Sequence, residues 1–170
     1  MVEMRLAGVK VELPTNTPVV LLQEVGGEKR TLPIFVGMPE ASGMLHVLQG
    51  QSSPRPLTYD LFTSVLEEAG ARLEQVAITD LREGTYYADL YLIVAGTRKL
   101  VSARPSDALN LALRAGCPIV CDDDLLANEG VRYDAEDDSV RLAAQDEPQA
   151  EVLVDELKEW LENIRPEDFG

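Results

Sequence analysis

The chain has 170 residues, 45% of them hydrophobic, with one histidine, two cysteines and a formal net charge of −15. That length suits one domain with an appendage, and the apolar fraction is enough for a real core, so a disordered or fibrous chain is excluded. No apolar run reaches the roughly 18–20 residues of a membrane span. The N-terminus lacks the basic start and apolar stretch of a secretory signal, so no membrane association and a cytoplasmic location are expected.

The first stretch, "EMRLAGVKVEL", alternates as a strand through Met4, Leu6, Val9, Val11 and Leu13. Its register breaks at Gly8, where a bulge fits. "PVVLLQEV" is a second strand, and a turn at Gly26-Gly27 leads to a third, "RTLPIFVG". Pro33 cannot donate to a ladder, so this third strand belongs at an edge or a bulge. In "PEASGMLHVLQG", residues Met44, Leu45, Val47 and Leu48 recur at helical spacing. After the polar loop "QSSPRP", "LTYDLFTSVLEEAG" reads as a helix with Leu57, Leu61, Val65 and Leu66 turned inward. "RLEQVAITDL" and "TYYADLYLIVAG" form a hairpin, "KLVSA" a further strand, "PSDALNLALRAG" a helix and "PIVC" a short strand.

The tail differs from the rest. Residues 1–130 hold 11 Lys and Arg against 17 Asp and Glu, whereas 131–170 hold 4 against 13. Residues 134–150 read as an acidic linker, and 151–170 as an amphipathic helix with Leu153, Leu157, Trp160, Leu161 and Ile164 on one face. Hairpins with separate helices give an α+β fold, its sheet mostly antiparallel and packed by several helices, in a domain over residues 1–133. Cys117 and Cys121 flank a strand that holds them roughly 13 Å apart, too far for a disulfide, so both read as free thiols.

Four blocks, "LPIFVGMPEASGML", "RPLTYDLFTSVLEEAG", "TYYADLYLIV" and "ARPSDALNLALRAGCPIV", together resemble the bifunctional nuclease (BFN) domain family. The resemblance covers roughly residues 5–130. It implies an α+β domain that self-associates as a homo-oligomer, a dimer foremost, and an activity that cleaves DNA and RNA in plant relatives. It carries no catalytic residues over.

If a phosphodiester is the substrate, the residues constrain the chemistry. A lone histidine, His46, excludes a two-histidine acid–base pair within one chain, which leaves carboxylates holding Mg²⁺ or Mn²⁺. The leading group is Arg104, Ser106 and Asp107 at a helix start, where backbone N–H groups also favour anions. Asp107 and Asp60 are the candidate metal ligands, Arg104 and Arg55 the candidate phosphate binders, and Ser106 a further catalytic candidate. Each has a plainer role, because Ser and Asp cap helices and acids favour the first turn. Arg55-Pro56 before Asp60 echoes Arg104-Pro105 before Asp107, and both helices end in Ala-Gly.

Other candidates are weaker. Glu40 suits a helix start. His46 reads as a satisfied helical histidine. Asp80 and Asp89 lie on the hairpin, and "CDDDLL" reads as a turn opening a helix. Tyr59, Tyr86 and Tyr87 could stack bases but also suit a half-buried sheet. No basic run is present to neutralise phosphates. Two readings follow: a divalent-metal-dependent nuclease acting transiently on DNA or RNA, or a non-catalytic, self-associating regulatory or interaction module.

Overall fold

A computed structural model describes residues 1–12 and 15–132. The acidic linker and the C-terminal amphipathic helix expected at 134–150 and 151–170 lie outside the described residues.

Strands β1 (Val2–Glu12), β2 (Thr17–Glu24) and β3 (Arg30–Phe35) form an antiparallel meander. Helices α1 (Met38–Leu48) and α2 (Thr58–Glu68) follow, then the meander β4 (Ala71–Arg82), β5 (Thr85–Val94) and β6 (Thr97–Ala103). Helix α3 (Pro105–Ala115), β7 (Ile119–Cys121), α4 (Asp123–Glu129) and β8 (Val131–Arg132) complete the described chain. The eight strands join in one sheet, ordered β6-β5-β4-β7-β1-β2-β3-β8. Every pairing is antiparallel except β4 with β7. The fold is therefore the expected α+β arrangement, with four helices.

Three-residue β7 stitches the two meanders together, pairing β4 on one side and β1 on the other. Strand β6 runs parallel to β7 in direction, so α3 is the crossover that spans β5 and β4 to reach it. Its apolar residues are consequently pressed onto the sheet: Ala108 and Leu109 are fully buried.

Local signals explain the element ends. The bulge in β1 falls between Leu6 and Gly8, as the broken alternation required. Pro33 pairs with Leu21 on one side, and β8 reaches only Arg30 and Thr31 on the other, so its missing N–H faces an open edge. Glu83-Gly84 and Ala95-Gly96 both take positive φ, the two-residue turn that matches strand twist. Asp122 accepts from the amides of Asp124 and Leu125 and so caps α4, which settles "CDDDLL" as a helix start.

The faces of the first two helices sort differently, and that of α2 departs from the sequence reading. In α1, Met44 is buried and Leu45 and Val47 are half-buried, but Leu48 is exposed. At α2 the stripe of the N-cap residue Leu57 with Leu61 and Val65 faces outward, exposed by 40%, 55% and 57%, with Phe62 at 49%. Only Leu66, of the four residues expected inward, packs against the core. The reason is position: α3 occupies the sheet surface over β4 and β5, and α2 lies against its flank.

Candidate active site

Helix α3 carries polar residues at 107, 110 and 114, three and four apart and so on one face. Asn110 is fully buried. Its Nδ2 donates to the Glu40 carbonyl at 2.9 Å and the Ser106 carbonyl at 3.0 Å, and its Oδ1 accepts from Arg114 at 3.1 Å. The amide therefore locks α1 to α3. Gly43 makes this approach possible, because a Cβ there would stand 2.7 Å from Asn110 Oδ1 and 3.2 Å from the Tyr59 ring. A glycine inside a helix costs about 1 kcal/mol relative to alanine, and close packing here is what it permits.

Arg114 is the second fastener, with its side chain only 7% exposed. Its Nε donates to Asp60 Oδ1 at 2.5 Å, Nη2 to the Gly43 carbonyl at 3.2 Å, and Nη1 to the Asn110 carbonyl at 3.2 Å. Its guanidinium also lies 5.4 Å from the centre of the Tyr59 ring. One side chain thus ties α1, α2 and α3 together. The Asp60 carboxyl is held below its ordinary value, first by the Arg114 hydrogen bond and then by the Leu57 amide, which donates to Oδ2 at 2.9 Å.

At the open end Arg104 bridges two carboxylates. Its Nε donates to Asp107 Oδ2 at 2.7 Å, and its Nη2 donates both to Asp107 Oδ1 at 3.0 Å and to Glu40 Oε1 at 2.9 Å. The Tyr59 hydroxyl donates to the same Asp107 Oδ1 at 2.8 Å. Burial pushes the Asp107 carboxyl up, yet the hydrogen bonds from Arg104 and Tyr59 together outweigh it and leave the group below its ordinary value. Burial, followed by the bond to Asp107, raises the Tyr59 phenol far out of the physiological range, so it stays a donor. Arg104 is 67% exposed, whereas Asp107 and Glu40 are 29% and 16% exposed. The cation is the exposed member of the trio and the anions are the more buried ones.

This cluster forms the polar end of a groove of about 790 Å³. Leu57, the N-cap of α2, and Phe62 within it line one wall and Val101 and Ala103 of β6 the other. A smaller cavity of about 330 Å³ lies between α2, β4 and the end of α3 beside Cys117, and none of the sequence candidates for catalysis lines it.

Of the sequence candidates, Arg104 and Asp107 meet in the groove. Asp60 turns instead to Arg114 and to the start of its own helix. Ser106 is buried, 8% exposed, and does not line the groove. Arg55 stands on an exposed loop outside the groove, without a hydrogen bond or ion pair among the described residues. His46 lines the groove, but its Nε2 is buried without a hydrogen-bond partner among the described residues, so it is not the satisfied helical histidine expected. Asp80 is taken by Arg82, and the Arg82 guanidinium covers Tyr87 at 4.7 Å. Among the described residues, no group of three or more His, Cys, Asp or Glu converges as a metal site. Arg114, Asn110 and the Glu40–Arg104 contact escaped the sequence reading. The polar stripe 107–110–114 on an apolar helix was the signal for the first two.

A family model for the bifunctional nuclease domain matches residues 20–134, which span both halves of the sheet and the whole cluster. The chain belongs to the bifunctional nuclease domain family. It is 41% identical over 167 residues to an uncharacterised protein of Mycobacterium tuberculosis, covering 98% of this chain and 97% of that one. It is 29% identical over 116 residues to bifunctional nuclease 1 of Oryza sativa subsp. japonica, covering 66% of this chain and 35% of the plant protein. Bifunctional nuclease 2 of Arabidopsis thaliana is 27% identical over 150 residues, covering 85% and 45%. The bifunctional nuclease domain thus accounts for most of this chain and under half of these plant relatives. Among the described residues no helix is long and apolar enough to cross a membrane.

Proposed function

We propose that this member of the bifunctional nuclease domain family hydrolyses DNA or RNA phosphodiesters at the polar end of the groove. The observation that carries the reading is the sharing of Arg104 Nη2 by Glu40 and Asp107 at 2.9 and 3.0 Å, beside an open groove. Two anchored carboxylate oxygens converge there on one exposed, displaceable cation.

The charge balance supports a divalent ion. Glu40, Asp60 and Asp107 outnumber Arg104 and Arg114 by one, so a phosphodiester would add to an existing negative excess. All the donors are carboxylate oxygens, which suits Mg²⁺ or Mn²⁺. Glu40 and Asp107 would hold the ion. Asp60 fits this role less well, because its two oxygens already serve Leu57 and Arg114. When bound, the cation would supply neutralisation of phosphate charge and an activated water.

The chain's own residues do the rest. Arg104, freed from the carboxylates, turns its fork of donors to the phosphate oxygens. Tyr59 holds Asp107 by its hydroxyl and keeps that carboxyl ionised. Asn110 and Arg114 are positioning residues that fix α1 against α3, and therefore Glu40 against Asp107. Arg55 and Ser106 stand outside this set.

Labelled single-stranded RNA and DNA, incubated with wild type and Asp107→Ala in Mg²⁺, Mn²⁺ or EDTA, test the proposal. Wild type should cut with metal and not with EDTA, and the folded variant should lose at least about 100-fold. Equal cutting by both proteins, or none by wild type with either metal, would refute it. A second reading, a non-catalytic interaction module, draws on the fact that Glu40, Asp60 and Asp107 each already have an arginine partner.

A further inference from the structure

Charge limits how a nucleic acid can be held beside the polar end of the groove. Binding through the backbone needs several cations to neutralise phosphates. Two arginines line the groove, Arg104 and Arg114. Arg114 is buried and committed to Asp60 and the Gly43 carbonyl, which leaves exposed Arg104 to meet a phosphate. Arg98, on the strand that forms one wall, is drawn away to Glu74 at 3.1 Å. The side chains of the groove thus offer one phosphate contact, and further affinity has to come from uncharged parts of the ligand.

The apolar part of the groove suits the flat part of a nucleotide. Phe62 and Val101 stand half exposed on opposite walls, and Leu90 and Leu111 are buried at the floor. This slot lies within the reach of one nucleotide from the polar cluster. Tyr59, whose hydroxyl donates to Asp107, precedes Phe62 by about 4.5 Å along α2. Val101 precedes Arg104 by three residues, roughly 10 Å of extended chain.

The aromatic residues sort by what already covers them. Tyr59, Tyr87 and Tyr91 each have an arginine near the ring centre, at 5.4, 4.7 and 4.2 Å. Phe62 has no such cover among the described residues, so its face is the one open to a flat ligand in the groove.

We propose that this slot holds the nucleobase next to the scissile phosphate, stacked on Phe62 and packed against Val101. Its place in the substrate rests on the cleavage site proposed above. A base paired and stacked in a duplex cannot enter, so the substrate presents an unpaired nucleotide. Every base has a π-face, and Phe62, Val101, Leu90 and Leu111 offer only carbon, so the slot discriminates little between bases.

Binding and cutting are read separately on the full chain. Fluorescein-labelled oligothymidylate is titrated in Ca²⁺, beside a strand of the same length whose central nucleotides lack their bases. Wild type should bind the base-bearing strand at least about 10-fold more tightly. Phe62→Ala should lose that factor on the base-bearing strand and nothing on the abasic one, with an unchanged thermal melt because the ring is half exposed. The logarithm of affinity should fall with the logarithm of monovalent salt at a slope between about −0.7 and −1.4, one or two phosphates of a single strand. Equal binding of the two strands, Phe62→Ala binding as wild type does, no binding of either strand, or a slope worth several phosphates would overturn the proposal. Cleavage of the same strands in Mn²⁺ separates the two ideas. Base-dependent binding without cutting would sink the proposed activity and leave the slot, whereas equal cutting of base-bearing and abasic strands would sink the slot and leave the activity.

Discussion

Helices α2 and α3 begin and end alike. Each is eleven residues long, has an Arg-Pro pair at or just before its start, carries an aspartate in its first turn and stops before Gly70 or Gly116, both with positive φ. Their fates are opposite. Seven residues of α3 are buried and none of α2 is. Punctuation therefore sets where a helix starts and stops, while topology sets what it buries. Helix α3 is the crossover between two strands of like direction and must lie on the sheet. Helix α2 only connects, so it lies against α3 and the edge of β4 and leaves an apolar stripe exposed among the described residues. The aspartates diverge in the same way: Asp60 steadies the frame through Arg114, and Asp107 faces the groove beside an exposed arginine.

The contrast can be broken first in the core. Leu109→Ala, in the fully buried face of α3, should destabilise the protein by about 3–4 kcal/mol in urea unfolding. A loss below about 1 kcal/mol would mean that α3 does not anchor the fold. Arg114→Met keeps the stem but strips partners from Asp60, Asn110 and the Gly43 carbonyl. Its expected cost is about 3 kcal/mol by the same measurement. Gly43→Ala forces α1 from Asn110 and Tyr59 and should cost about 1–3 kcal/mol. It should also lower any activity by more than that loss of stability explains, because Glu40 moves with α1.

Acid sharpens the comparison further. Asp60 and Asp107 both have folded values below the ordinary carboxylate, near 3.9. Such groups stabilise fully above the unfolded value, and the contribution fades as pH falls through the folded ones. The melting temperature should therefore fall below about pH 4, and Asp60→Asn with Asp107→Asn should flatten that fall. An unchanged pH profile in the double variant would show that neither pair stabilises the fold. Smallest of all, Arg55→Ala should alter unfolding by less than about 0.5 kcal/mol, since its side chain is unpaired among the described residues.

Local chemistry was legible in the sequence, and so was much of the fold. Gly8 announced the bulge, Pro33 the open edge, and the Gly-bearing turns the hairpins. What stayed hidden depends on distance along the chain. Strand β7 has only three residues, yet it sits in mid-sheet because β1 and β4 close on it. Strand β8 has two residues and no period to detect. The outward stripe of α2 has helical spacing, but spacing marks a face without saying what it meets. At the site, Arg104 and Asp107 were found because they are neighbours in one turn. Glu40 lies 64 residues from Arg104 and had only a helix-start role to suggest it.

The proposed activity depends on Glu40 and Asp107 accepting a divalent cation in the place that Arg104 takes between them. Crystals soaked in Mn²⁺ and read by anomalous scattering test it directly. A peak is expected between the Glu40 and Asp107 carboxylates, with the Arg104 guanidinium turned out toward the groove. A peak elsewhere, or none with Arg104 still bridging both carboxylates, from protein that cuts RNA in the same Mn²⁺ buffer, would contradict it.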